Sequence, residues 1–152
     1  MKFWDSSGIV PLVVNEPETD YCLETLTHDQ QMMVWCLSKV EIISALCRQL
    51  REKKLSDTDF RKAKTRMKDL LEHAYEVYAI QKVRQRALRL LEVHPLRAAD
   101  ACQLGSALIA CQEDPERLSM VCFDERLTKA ALKEGFSVNP GRDENEKDRH
   151  EH

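Results

Sequence analysis

Short apolar runs alternate along this chain with longer stretches in which apolar residues recur every three or four positions. The first pattern suits strands and the second suits helices that bury one face. "KFWD" reads as a strand that stops at an acid. A short helix is expected from about Ser7 to Val14, with Pro11 near its first turn, where proline is best tolerated. "EPETDYCLETLTHD" predicts a second short helix with Pro17 at its start. "QMMVWCLS" is a continuous apolar run, as in a strand buried on both faces. In "SKVEIISALCRQLREKK" the residues Val40, Ile43, Leu46, Cys47 and Leu50 form a helical stripe. Ser56 or Asp57 caps the next helix, striped by Phe60, Ala63, Met67, Leu70 and Leu71.

"YEVYAI" is a third strand, rich in β-prone side chains. Helices follow from about Gln81 to Val93, ending at Pro95, and over "LRAADACQLGSALIACQ". "LSMVCFD" is a fourth strand, and "ERLTKAALKEG" a helix closed by Gly135. "FSV" is a candidate brief last strand. Strands alternating with helices predict an α/β fold, a three-layer α/β/α sandwich around a central, mostly parallel sheet. One domain is expected over residues 1–139, followed by an acidic, histidine-containing tail at 140–152 expected to be disordered.

Composition supports a globular chain: 43% of its 152 residues are hydrophobic and 32% charged. No apolar run approaches the roughly 20 residues of a membrane span. The start lacks a signal-peptide pattern, so a cytoplasmic location is expected. The six cysteines form no C-x-x-C pair and sit mostly in apolar stretches, which reads as buried, reduced thiols. The net charge of −3 does not advertise nucleic-acid binding, but its distribution is uneven. Residues 48–68 carry nine Lys/Arg against three Asp/Glu, and residues 81–97 carry five against one.

Four acids then stand out. Asp5 and Asp124 end the first and fourth strands, at the carboxyl rim where open α/β sheets bind ligands. Glu41 and Asp100 interrupt the apolar patterns of two helices, where an unpaired buried carboxylate is very costly. Each has a plain structural explanation. Ser38-x-x-Glu41 matches a capping box, Asp5 and Asp124 each precede a helix as an N-cap would, and Asp100 has Arg97 on its own helix. Together, four carboxylates converging on one rim repel one another, and a divalent cation resolves that repulsion. Oxygen ligands without a Cys/His cluster suit Mg²⁺ or Mn²⁺, and such sites serve phosphoryl chemistry.

Four segments, "FWDSSGIVPLVVNEP", "WCLSKVEIISALCR", "HPLRAADACQLGSALI" and "VCFDERLTKAALKEGF", resemble in order the motifs of the PIN-domain ribonucleases, specifically VapC-type toxins of toxin–antitoxin pairs. The resemblance spans about residues 2–139 and aligns Asp5, Glu41, Asp100 and Asp124 with the family's four acids. Cys122 departs from the Thr or Ser that many relatives place two residues before the fourth acid. The resemblance implies a metal-dependent endoribonuclease. Asp5, Glu41, Asp100 and Asp124 would be both catalytic residues and ligands of Mg²⁺ or Mn²⁺, whose activated water attacks an RNA phosphodiester. Ser6 and Ser38 would support the acids from behind, Ser6 by bonding Asp5 or a metal-bound water, although Ser6 or Ser7 is equally placed to cap the first helix.

Arg48, Arg51, Lys53 and Lys54 are the candidate RNA contacts, against the plainer reading of a solvated basic face. Trp4 and Trp35 lie in strand-like runs and read as core rather than stacking platforms. The resemblance also implies a VapB-type antitoxin as protein partner and a homodimer as a common state. The rival reading is a catalytically inactive PIN-like module for protein interaction or RNA binding. A phosphatase or receiver domain is a third, weakened because no paired acids follow the first strand.

Overall fold

The computed structural model describes residues 1–142. Among them, four strands form one sheet: β1 (Lys2–Trp4), β2 (Met32–Trp35), β3 (Tyr75–Val77) and β4 (Ser119–Val121). Their order is β3-β2-β1-β4, and every pairing is parallel. Seven helices surround the sheet: α1 (Ser6–Val13), α2 (Thr19–His28), α3 (Ser38–Arg51), α4 (Asp57–Glu72), α5 (Ile80–Val93), α6 (Ala98–Ala110) and α7 (Glu125–Glu134). The expected parallel three-layer sandwich is therefore present.

The strand alternation explains the layers. Successive side chains point to opposite faces, so Phe3 and Trp4, both fully buried, serve different cores. Phe3 packs with Trp35, Met120 and the inner faces of α5, α6 and α7. Trp4 packs with Val34, Val121 and side chains from α1 to α4. Both tryptophans are thus core, as their apolar surroundings suggested. All six cysteines are free thiols; Cys22, Cys111 and Cys122 are buried and the other three half-buried.

Two helices differ from expectation in informative ways. Pro11 is the sixth residue of α1, beyond its first turn. It deletes the bond its N–H would give to Ser7, a loss tolerated because Gly8 through Val13 are all buried and packing holds the short helix. In α3 the expected stripe is rotated. The buried face is Ser38, Ile42 and Leu46, spaced by four, while Val40 is 65% exposed. Ser38 faces inward because its hydroxyl has a partner there, so a polar residue holds a core position that hydropathy assigned to its neighbours.

Beyond α7, Gly135 takes the left-handed conformation (φ 103°) that ends the helix. The "FSV" segment contributes a single parallel bridge, Met120 to Val138, rather than a strand. Asn139 then clasps β4's extension: its side chain accepts from the Cys122 N–H at 2.9 Å and donates to the Cys122 carbonyl at 2.6 Å. Pro140 accepts a bond from the Tyr21 hydroxyl, and the Arg142 guanidinium lies over the Phe123 ring. The rest of the tail expected to be disordered, 143–152, lies outside the described residues.

Gly8 sets how closely α1 approaches β4. A Cβ there would stand 2.9 Å from the Val121 carbonyl oxygen, which is backbone and cannot turn aside. Gly8→Ala is therefore expected to lower stability by about 1–3 kcal/mol, the usual cost of overpacking, measured by denaturant unfolding.

Candidate metal centre at the carboxyl rim of the sheet

β1 and β4 run side by side, with Trp4 paired to Val121. The residues that follow, Asp5 and Cys122 to Asp124, therefore emerge together at the carboxyl rim. Asp5 is the N-cap of α1 and Asp124 the N-cap of α7. Glu41 lies in the first turn of α3, which follows β2, and Asp100 in the first turn of α6. All four acids thus stand at helix N-termini, where the exposed N–H groups and the helix dipole favour negative charge.

Asp5 is only 3% exposed. Burial pushes its carboxyl above the ordinary value, the hydroxyl and N–H of Ser7 pull it back, and the charge of Asp100 raises it again. Ser7 Oγ donates to Asp5 Oδ2 at 2.5 Å and in turn accepts the Phe123 N–H at 2.9 Å. One hydroxyl thereby ties the first acid to the loop carrying the fourth. The sequence reading gave this supporting role to Ser6. Ser6 lines the adjoining cleft and bonds Asp5 through its backbone, and the hydroxyl that bonds Asp5 is that of Ser7, because the first turn of α1 folds Ser7 back over its own cap.

Glu41 is half-buried and shifted up to about 7, first by desolvation and then by the charges of Asp5 and Asp100. The capping box expected for it does not form. The N-cap of α3 is Leu37 and makes no side-chain cap bond. Ser38, already inside the helix, accepts a bond from Gln103 Nε2 at 3.1 Å, and the same nitrogen donates to Glu41 Oε2 at 2.5 Å. Ser38 and Glu41 therefore share one donor, Gln103 Nε2.

Asp100 is raised by its own burial and by the charge of Asp124, and lowered by Arg97 and Arg126. Arg97 acts on it both through its backbone N–H and through its charge. Asp124 accepts the Leu127 N–H at 2.8 Å, so capping is its visible structural role. Cys122 is buried with its sulfur 3.7 Å from Asp5 Oδ2, and burial with that neighbouring charge pushes the thiol to about 12. It is a neutral wall of the site.

The electrostatic couplings link the quartet: Asp5 with Glu41 and Asp100, Glu41 with Asp100, and Asp100 with Asp124. Among the described residues, no three His, Cys, Asp or Glu side chains stand close enough to enclose an ion as they are placed. The donor set nonetheless fits a hard divalent cation. It is all carboxylate oxygen, and the three acids with raised values each carry a repulsion that a cation would relieve.

A cleft of about 680 Å³ opens beside the acids, with Glu41, Ser6, Ser7, Arg48, Arg97 and Phe123 in its walls. Of the four expected RNA contacts, only Arg48 lines it. Arg51, Lys53 and Lys54 lie at or beyond the far end of α3, and Lys54 pairs with Glu52 at 3.1 Å. At 1.5 Å per helical residue, Arg51 is roughly 15 Å along the axis from Glu41. Arg97 was weighed only as a partner for Asp100, although its place three residues before that acid put it at the same helix start. Gln103 was missed, although an amide in an apolar helical run is the same kind of signal as Asp100 itself.

No protein-family model and no curated protein matches the chain in sequence. Solved structures do match in shape. A toxin–antitoxin complex from Klebsiella pneumoniae is 14% identical, with a TM-score of 0.58 over 82% of this chain and 87% of that one. FitAcB from Neisseria gonorrhoeae is 12% identical, with a TM-score of 0.60 over 91% and 96%. PAE2754 from Pyrobaculum aerophilum is 17% identical, with a TM-score of 0.59 over 91% and 88%. At such identities the likeness speaks for architecture: the chain has a PIN-like α/β/α fold.

Proposed function

We propose that this protein is a metal-dependent endoribonuclease of the PIN-domain type, acting as the VapC-like toxin of a toxin–antitoxin pair. The observation that carries the reading is the acid quartet, four carboxylates on separate helix N-termini brought to one rim. Asp5, Glu41 and Asp100, with Asp124, would hold Mg²⁺ or Mn²⁺. A bound cation would supply charge neutralisation and the acidification of a water that hydrolyses phosphodiesters. Ser7 fixes Asp5, and Gln103 fixes one oxygen of Glu41. Arg48 and Arg97 are the cationic side chains of a cleft that also carries Glu16 and Glu18, and they would meet an RNA phosphate there, while Cys122 is buried beside Asp5.

The proposed partners are RNA as substrate, a VapB-type antitoxin and a second copy of the chain, in the cytoplasm. The likeness to a toxin–antitoxin complex supports the antitoxin partner. No described helix is long and apolar enough to cross a membrane. One observation favours the inactive-module reading: Asp5 and Asp124 each cap a helix, a sufficient structural reason for two of the four acids. The test is incubation of the purified protein with total RNA in Mg²⁺, in Mn²⁺ and in EDTA, beside growth of cells expressing it. Cleavage that needs the cation, with growth arrest, supports the toxin reading. Intact RNA and normal growth support the inactive module.

A further inference from the structure

We propose that Gln103 is the positioning residue of the acid site, holding the Glu41 carboxylate in place for a cation; the inference rests on the metal-site reading above. Gln103 is completely buried, one turn after Asp100 on α6. Its single NH₂ group spends both protons on α3, one on Ser38 Oγ and one on Glu41 Oε2. Because a carboxylate only accepts, the amide must present nitrogen to Glu41, and its orientation follows from that partner. The helix bearing the third acid thus fixes the second.

This arrangement has a cost that packing does not explain. Turning the NH₂ toward Glu41 leaves Gln103 Oε1 buried with no hydrogen-bond partner. Its buried neighbours on α6 include Leu104, Ala107 and Leu108, and a methionine would fill the same space without an orphaned carbonyl. What the amide provides that methionine cannot is donation to Ser38 and to Glu41, and the second of these bears directly on an acid of the site. Lysine or arginine would also donate, but would bring a positive charge into the place where a cation must bind. A neutral donor fixes Oε2, keeps the carboxylate's charge and leaves Oε1 to a metal ion. Partners of this kind behind a ligand commonly alter metal affinity 10- to 100-fold, by orienting the ligand rather than touching the ion.

The test is a double-mutant cycle of Gln103→Met and Glu41→Gln, read by calorimetric titration with Mn²⁺ and by thermal unfolding without metal. Gln103→Met removes the orphaned Gln103 Oε1 but takes the donor from the buried Ser38 hydroxyl, so the two effects oppose and the metal-free melting midpoint is expected to stay close to wild type, while Mn²⁺ affinity falls about 10-fold. In the Glu41→Gln background the same substitution is expected to change Mn²⁺ affinity no further. Cleavage should lose kcat while KM for RNA holds, because Gln103 does not line the RNA cleft. If Gln103→Met does not fold, Gln103→Leu is read in its place. Wild-type Mn²⁺ affinity in the single variant, or an undiminished loss in the Glu41→Gln background, overturns the positioning role while leaving the metal site standing. A wild type that binds no Mn²⁺ overturns the metal site itself and the proposal with it.

Discussion

Asp5→Asn is expected to reduce cation-dependent RNA cleavage by about 10³-fold or more while the protein stays folded. The two halves of that result separate the two roles of Asp5. Asparagine caps helices about as well as aspartate, so the α1 N-terminus keeps its acceptor for the Ser7 N–H. What is lost is the charge, which no cap requires and a cation does. Because burial opposes that charge, its removal should leave the melting temperature of the metal-free protein unchanged or raise it. Cells expressing the variant should grow as uninduced controls do. Equal cleavage by both proteins would end the acid-site mechanism. A large fall in stability would show instead that Asp5 serves α1 chiefly as an ionised cap.

The second large effect is a reversal of pH dependence by metal. Glu41 moves from an ordinary 4.5 to about 7 on folding, through burial and the nearby charges of Asp5 and Asp100. A group raised in the folded state binds protons more tightly there. Its stabilising contribution is full below about pH 4.5 and is lost as the pH rises through 7. Asp5 and Asp100 shift in the same direction. After discounting for the partial exposure of Glu41, its share is on the order of 2 kcal/mol. In EDTA the melting temperature should therefore fall between pH 5 and pH 8. Millimolar Mn²⁺ should recover it at pH 8 and do little at pH 5, since ligand binding stabilises only where the acids are ionised. Glu41→Gln should flatten both curves. A melting temperature indifferent to Mn²⁺ at pH 8 would count against the cation.

The sequence carried the architecture because its signals are local. Four apolar runs and their intervening 3.6-residue patterns depend only on neighbours along the chain, and β1 to β4 appear where those runs lie. The acids were legible for a related reason, since each breaks an apolar pattern or ends a strand. Less legible was anything decided by a partner distant in sequence. Ser38 looked like a cap because Glu41 stands three residues on, yet its bond goes to Gln103, 65 residues away. Ser6 and Ser7 are indistinguishable as a pair, and the Phe123 N–H, from 116 residues away, marks Ser7. The α3 stripe was misplaced for the same reason, since Ser38 is buried by a hydrogen bond that hydropathy does not register.

The placement of β1 between β2 and β4 bears on when the site comes into being. β2 is near in sequence, but β4 begins only at Ser119, more than 110 residues after Lys2. Pairings of such long range form late, since closing a long loop must precede any gain from the contact. During synthesis Asp5 and Glu41 both emerge well before β4. Nothing brings Asp124 beside them until β4 has been made and has closed on β1. The rim, and any chemistry done there, is withheld until β4 has been synthesised and has paired with β1. For a protein proposed to cut RNA, translation itself then supplies an interval in which the nascent chain is harmless.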